Sequence, residues 1–333
     1  MRNNKTFFIK KFLRFVCLLL LIFIVANASV FIMLVVKNNS YVKKTGPNVI
    51  VLELWNIDSF DGGNYSKSVF LERVANRFYM KNKNVCVVIK NLTKESFESL
   101  KGAGVCPDII SCAPDVFENV KNNFCLSELN DVNEVKVCVV DGDCVVGVPW
   151  CVGAYFMFST NERLYGLKCD KKDMLKNCLN LGFEKKMKNR VKIINSLTYG
   201  GVYEQPEKAL KCYGFDVVSF DKTAYDAYVE FLNGDATILV GTQRDYCRLM
   251  SRVNFQGGVV CEILPRFNNL FQYVSIVSTD SEKVSVCQKF IQELMSVNVQ
   301  KNMRDFGMFS AVVNVDYEDE VWNNYQNLVL SYL

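Results

Sequence analysis

The sequence predicts an α/β protein of two lobes joined across a cleft, and three observations carry that prediction. From Asn48 onward, apolar strand-like runs alternate with stretches whose apolar residues recur at helical spacing. The 333 residues, half of them hydrophobic, suffice for two ordinary domains. Near the middle, residues 147–161 read Gly-Val-Pro-Trp-Cys-Val-Gly-Ala-Tyr-Phe-Met-Phe-Ser-Thr-Asn. There Gly147, Pro149 and Gly153 punctuate the backbone, as at a place where another segment or a ligand comes close. This segment is read as lining a cleft and crossing between the lobes.

In chain order, residues 15–36 are 22 uncharged residues, roughly 33 Å as a helix, enough to cross a bilayer. Lys10, Lys11 and Arg14 before it favour a short cytoplasmic tail, 1–14, with the main domain outside the cell membrane. Ala26-Asn-Ala28 resembles a signal-peptidase site, but the apolar run continues through Val36, so an uncleaved single-pass anchor is expected. Residues 37–47 form a polar tether. Strands are expected at 49–55, 85–89 and 108–112, with helices around Leu71, Val74, Ala75 and Phe78 and over 93–100. That alternation predicts a parallel, doubly wound sheet whose ligands sit beyond the strands' carboxyl ends. Asp141-Gly142 joins a hairpin of 134–140 and 144–148. Beyond Asn161, Lys-rich helical stretches run to about Leu197, followed by a loop at 198–203. A helix carrying Ala224, Ala227, Tyr228 and Phe231 ends at Asn233-Gly234. Further strands are expected at 235–240, 259–264 and 273–278, and a long helix is striped by Val284, Cys287, Ile291, Leu294 and Met295.

The formal net charge of +4 resides in the first segment. Removing its five basic residues leaves 34 basic against 35 acidic, so no nucleic-acid-binding surface is signalled. The chain has no histidine, which excludes Ser-His-Asp and Cys-His catalysis and histidine metal ligation. Its 14 cysteines form no C-x-x-C pair; many replace apolar residues in strand-like runs, so they are read as small buried hydrophobes. No phosphate-cradling G-x-x-x-x-G-K-[ST] occurs, no metal site is indicated, and no cofactor is implied.

The ordered set of motifs resembles the extracellular solute-binding proteins of ABC importers, in particular the carbohydrate-binding group. The pieces are the strand ending in Trp55 and Gly-x-x-Pro-Asp at 104–108. They continue with Asp141-Gly-Asp-Cys-Val-Val-Gly-Val-Pro149, the aromatic run to Asn161, Phe231-Leu-Asn-Gly-Asp-Ala-Thr-Ile-Leu-Val-Gly241, and Ser278-Thr-Asp-Ser-Glu-Lys before the late helix. The resemblance spans nearly all of 48–333. Ser159-Thr160-Asn161 departs from the family's Tyr-Asn ending, and no lipobox cysteine is present. The resemblance implies a two-lobed, periplasmic-binding-protein-like fold with a hinge and an inter-lobe cleft. Residues 48–155 and 276–308 would form the first lobe, 160–272 the second, with a C-terminal helix, 309–333, packing on the second. It implies no catalysis, a sugar ligand and ABC permease subunits as partners. A membrane-tethered receptor presenting its ligand to a sensor, and an anchored glycosidase with paired carboxylates, are the alternative readings.

A sugar site needs flat aromatic faces for C–H surfaces, and carboxylates, amides and arginine for hydroxyls. The expected ligand-binding residues are Trp55, Asp58, Asp108, Trp150, Tyr155, Tyr199, Gln243 and Arg244. For the aromatics the competing role is core packing, for Asp108 backbone capping, and for Arg244 a solvated helix face shared with Arg248 and Arg252.

Overall fold

The computed structural model describes residues 49–58, 60, 62–132, 134–166, 192–197, 222–252, 258–264 and 268–331. The expected anchor at 15–36 and Tyr199 therefore lie outside the described residues. Among those described, no helix is long and apolar enough to cross a membrane.

In chain order the elements are β1 (Ile50–Ile57), α1 (Lys67–Lys81), β2 (Val85–Leu92), α2 (Lys94–Gly102), β3 (Ile109–Cys112) and α3 (Pro114–Asn123). Then come β4 (Val139–Asp141), β5 (Cys144–Val152), β6 (Tyr155–Thr160), α4 (Asn161–Gly166), β7 (Ile193–Asn195), α5 (Ala224–Asn233) and β8 (Ile238–Thr242). The chain finishes with α6 (Gln243–Met250), β9 (Val259–Ile263), β10 (Phe271–Ile276), α7 (Ser281–Leu294), α8 (Val297–Gln300), a 3₁₀ turn (Lys301–Phe306), β11 (Phe309–Ser310) and α9 (Glu320–Ser331).

Helix starts follow local chemistry. Ser66, Thr93, Thr223 and Asp280 are N-caps that accept backbone N–H groups of the first turn, and Gly234, at φ 91°, closes α5 in the left-handed region. The buried face of α1 includes Leu71, Val74, Ala75 and Phe78, as their spacing predicts. In α7, Cys287, Ile291 and Leu294 are buried.

Two sheets result. One runs β11-β5-β10-β3-β1-β2 with β4 hung on β5; the other runs β7-β8-β6-β9. The first is mixed rather than parallel, correcting the sequence expectation: β1 and β3 are parallel, but β10 lies antiparallel between β3 and β5. The reason is connectivity. β10 arrives from the second sheet, so it enters where β1 and β3 end and runs the opposite way. In the second sheet, β7 lies parallel to β8, where the sequence suggested helix. Its residues, Ile193, Ile194 and Asn195, include two β-branched side chains suited to a strand.

Side-chain alternation gives the first sheet two covered faces. Trp55, Ile57, Ile110, Cys112 and Tyr273 pack with Phe97, Val116, Phe117 and Val120 of α2 and α3. On α1, Phe70 stacks on Trp150 of β5 at 5.7 Å, and Phe78 meets Phe290 of α7 edge to face. The C-terminal helix α9 touches both sheets instead of the second alone. Tyr325 packs edge-on against Phe156 of β6, while Trp322 stacks on Phe309 of β11 at 4.5 Å.

The ten described cysteines are free thiols. Cys112, Cys151 and Cys287 are buried as small hydrophobes, but Cys106, Cys125 and Cys138 are exposed, so the reading as core residues fits only some of them.

Candidate functional site

The crossing between sheets is made by close approach. Gly153 follows β5; its N–H donates to the Leu270 carbonyl at 2.5 Å, and the Asn268 amide donates to the Gly153 carbonyl at 2.9 Å. A Cβ there would stand 2.8 Å from Oε1 of Gln243, and one on Gly147 would stand 2.6 Å from the Phe117 ring. Both glycines are therefore places where another segment comes close, as their spacing suggested. Pro149 sits at an irregularity of the β5–β10 ladder, where Gln272 pairs with Cys151 and Tyr273 with Pro149. Such a bulge accommodates a residue without an N–H inside a sheet.

Beneath the crossing lies a polar layer within the first sheet. Ser111 Oγ donates to Asn56 Oδ1 at 3.2 Å, and the Trp150 indole N–H donates to Ser111 Oγ at 3.0 Å. Gln272 Nε2 lies within reach of Asn56 Oδ1, Ser111 Oγ and the Ile57 carbonyl, at 2.9 to 3.2 Å. All four side chains are fully buried, near the carboxyl ends of β1 and β3. Beyond those ends, Lys67 at the first position of α1 is also fully buried. Its ammonium bonds the Phe60 carbonyl, lies 3.7 Å from the Phe60 ring centre and pairs with Asp58 Oδ1 at 3.3 Å.

The second lobe contributes the start of α6. Thr242 caps it in a capping box with Asp245, whose Oδ2 accepts from Thr242 N at 3.1 Å and from Ser196 Oγ at 2.6 Å. Arg244 is buried, with Nη2 donating to the Ser196 carbonyl at 3.3 Å and Nε 3.7 Å from Asp245 Oδ1. Gln243 Oε1 accepts the Ala154 N–H at 2.9 Å.

The lobes meet at a seam of small residues. A Cβ on Gly63 would lie 2.5 Å from the Cys247 sulfur of α6 and 2.8 Å from Gly307 Cα; one on Gly307 would lie 2.6 Å from the same sulfur. Burial, with Asp245 adding to it, pushes the Cys247 thiol up to about 12, so it stays protonated at neutral pH.

The expected ligand residues divide as follows. Asp58 is 40% exposed and paired with Lys67 at the seam side of the first lobe. Tyr155, Gln243 and Arg244 gather at the crossing and the α6 start, with the Tyr155 hydroxyl donating to Asn269 Oδ1 at 2.6 Å. Trp150 is 0% exposed between Phe70 and Ser111, so it presents no open face in this conformation. Trp55 is equally enclosed, edge-on to Phe97, on the sheet face covered by α2 and α3. Asp108 precedes β3 at its amino end, away from the seam. Its carboxylate accepts from Glu53 N at 2.9 Å and pairs with Lys283 at 2.9 Å, the backbone-capping role. Arg244 is not on a solvated stripe with Arg248: it is buried while Arg248 is exposed.

Sequence reasoning did not select Lys67, Asn56, Ser111, Ser196 or Gln272. Lys67 carried a signal, since it stands three and four residues before Phe70 and Leu71 on the apolar stripe of α1. The short polar strand residues carried none, because their partners are 35 to 216 positions away.

No family model matches the chain, and no curated protein matches it. Solved structures share its fold. The GacH receptor of Streptomyces glaucescens GLA.O, described unliganded and with acarbose, is 11% identical over 85% of this chain and 86% of that one, with a TM-score of 0.57. A chitin oligosaccharide binding protein is 14% identical over 86% and 87%, at 0.59. Apo RafE from Streptococcus pneumoniae is 13% identical over 86% of each chain, at 0.55. The chain has the two-lobed, periplasmic-binding-protein-like α/β fold of these binding proteins.

Proposed function

We propose that this chain is the solute-binding component of an ABC importer and captures an oligosaccharide between its lobes without catalysing a reaction. The observation that carries the reading is the seam. Two sheets joined at Gly153 close against each other through Gly63, Gly307 and Cys247, with polar groups on both sides of the contact. Hinged lobes that close on a ligand use this arrangement. Solved structures that share the fold are of proteins described with acarbose, chitin oligosaccharide and raffinose, which supports a saccharide as the ligand class. Asp58 with Lys67, Arg244 with Gln243, and Tyr155 are the groups we assign to sugar hydroxyls; Tyr199 keeps its assignment from the sequence alone. Residues 15–36 would hold the protein at the outer membrane face, where permease subunits receive the closed form.

The test is a thermal-shift screen of the full chain against mono- and oligosaccharides, with amino acids and polyamines alongside. A saccharide at a hundred times its dissociation constant adds about 2.7 kcal/mol of stability, a rise of several degrees. Stabilisation by amino acids or polyamines alone overturns the carbohydrate assignment, and silence across the panel overturns the binding function.

A further inference from the structure

An aromatic path leads from the buried Trp150 to the surface. Trp150 stacks on Phe70, Phe70 meets Phe306 edge to face at 5.0 Å, and Phe306 meets Tyr65 at 5.4 Å. Tyr65 is 53% exposed. It opens onto a cavity of about 710 Å³ lined by Asn64, Tyr65, Arg73, Arg304 and Asp305.

Of the three charged residues in this cavity, two have no ion-pair partner among the described residues. The Arg73 guanidinium lies 4.8 Å from the Phe306 ring centre and 5.8 Å from that of Tyr65. Among the described residues it has no hydrogen-bond or ion-pair partner. Arg304 is turned to Asp319 at 2.6 Å. Asp305 gives its backbone carbonyl to the Asn64 amide at 3.2 Å, while its carboxylate pairs with no described residue. A cation and an anion, neither with an ion-pair partner among the described residues, thus line one space without closing on each other. An anionic ligand would meet Asp305, and a cationic one would meet Arg73 and Arg304. A neutral polyol satisfies both, because each hydroxyl donates and accepts, and the exposed Tyr65 ring offers the flat face that pyranose C–H groups cover.

We propose that this cavity is an outer saccharide subsite on the rim of the first lobe, taking the sugar units of an oligosaccharide that extend out of the seam. It rests on the reading of the chain as an oligosaccharide-binding protein. Position supports the link: Asn64 N donates to the Phe306 carbonyl at 3.0 Å, and the neighbouring Gly63 and Gly307 are the residues that touch Cys247 of the other lobe. Tyr65 therefore stands two residues from the contact between the lobes.

The experiment is calorimetric titration of the full chain with maltose through maltoheptaose and chitobiose through chitohexaose. It compares wild type with Tyr65→Ala and Asp305→Asn, with melting temperatures recorded in parallel. In the series that wild type binds, affinity rises with length. Both variants keep wild-type disaccharide affinity and melting temperature while losing about tenfold for the longest members. Equal loss at every length, or no loss at any length, overturns the subsite and leaves the functional reading standing. A wild type that binds no saccharide in either series overturns the functional reading itself, and the subsite with it.

Discussion

On the first-lobe side of the seam, the buried polar groups belong to four different strands: Asn56, Ser111, Trp150 and Gln272 hold one another across β1, β3, β5 and β10. On the second-lobe side they come from one helix start and the residue after one strand: Thr242, Asp245 and Ser196, with Arg244 beside them. A strand-borne network is held by the sheet ladders on every side, so its failure is a failure of the core. A helix-borne network hangs on a single capping box, so it can be taken apart while the lobe keeps its sheet. The first-lobe network is tied into the sheet at four strands, the second-lobe network to one helix start.

The largest expected effect tests the strand-borne side. Trp150→Ala removes a stacked, fully buried indole and the hydrogen bond it donates to Ser111, which costs about 3–5 kcal/mol in urea denaturation. A cost under about 1 kcal/mol would show that the layer is not a core element, and the contrast between lobes would collapse. Next comes Asp245→Ala, which strips two hydrogen bonds and removes the carboxylate beside Arg244. About 3 kcal/mol is expected, and Asp245→Asn should recover part of it while near-UV signals of the first lobe stay unchanged. Perturbation of both lobes together would contradict a separable second lobe. Gly63→Ala forces a methyl group into the Cys247 and Gly307 contact. It should lower stability by about 1–3 kcal/mol and increase the radius of gyration in small-angle scattering, by holding the lobes apart. An unchanged radius would mean that the seam yields by local adjustment.

The smallest effect is electrostatic. Hydrogen bonds from Lys192 and Lys222 hold the Glu230 carboxyl below the usual glutamate range. A lowered folded-state value means that the pair's contribution is complete above the ordinary glutamate pKa and is lost as pH falls through the lowered value. Both lysines are substantially exposed, so about 0.5 kcal/mol is involved. The difference in urea midpoint between wild type and Glu230→Gln should be present at pH 7 and shrink as pH falls below the ordinary glutamate range. A difference independent of pH would assign the effect to packing.

Much of the architecture was legible because it is written locally. The stripe of α1, the caps at Thr93 and Asp280, the Asn233-Gly234 stop and the Asp141-Gly142 turn each need only a few neighbouring residues. The close approach at Gly153 was legible for the same reason, but the crossing was expected in the aromatic run 156–161, which the structure places in the second sheet as β6. Strand direction was not, since the antiparallel placement of β10 depends on where the chain has been for the preceding hundred residues. The site was read least well. An aromatic looks the same in sequence whether it is a platform or core, and only Phe70 above and Ser111 beside Trp150 reveal the packing. Lys67 was passed over because a lysine at a helix start is ordinarily solvated, whereas here Phe60 and Asp58 enclose it.

The contact of Gly63, Gly307 and Cys247 has a mechanical meaning. Two backbones and one short side chain meet with no room for a methyl group, and none of the three has a flexible end to fold away. Such a contact behaves as an end stop rather than a spring. Under the proposed function, lobes that swing together would halt at one angle fixed by the protein itself, whichever molecule they enclose. A membrane partner that gauges the outer shape would then be told that the protein is shut, not what it holds.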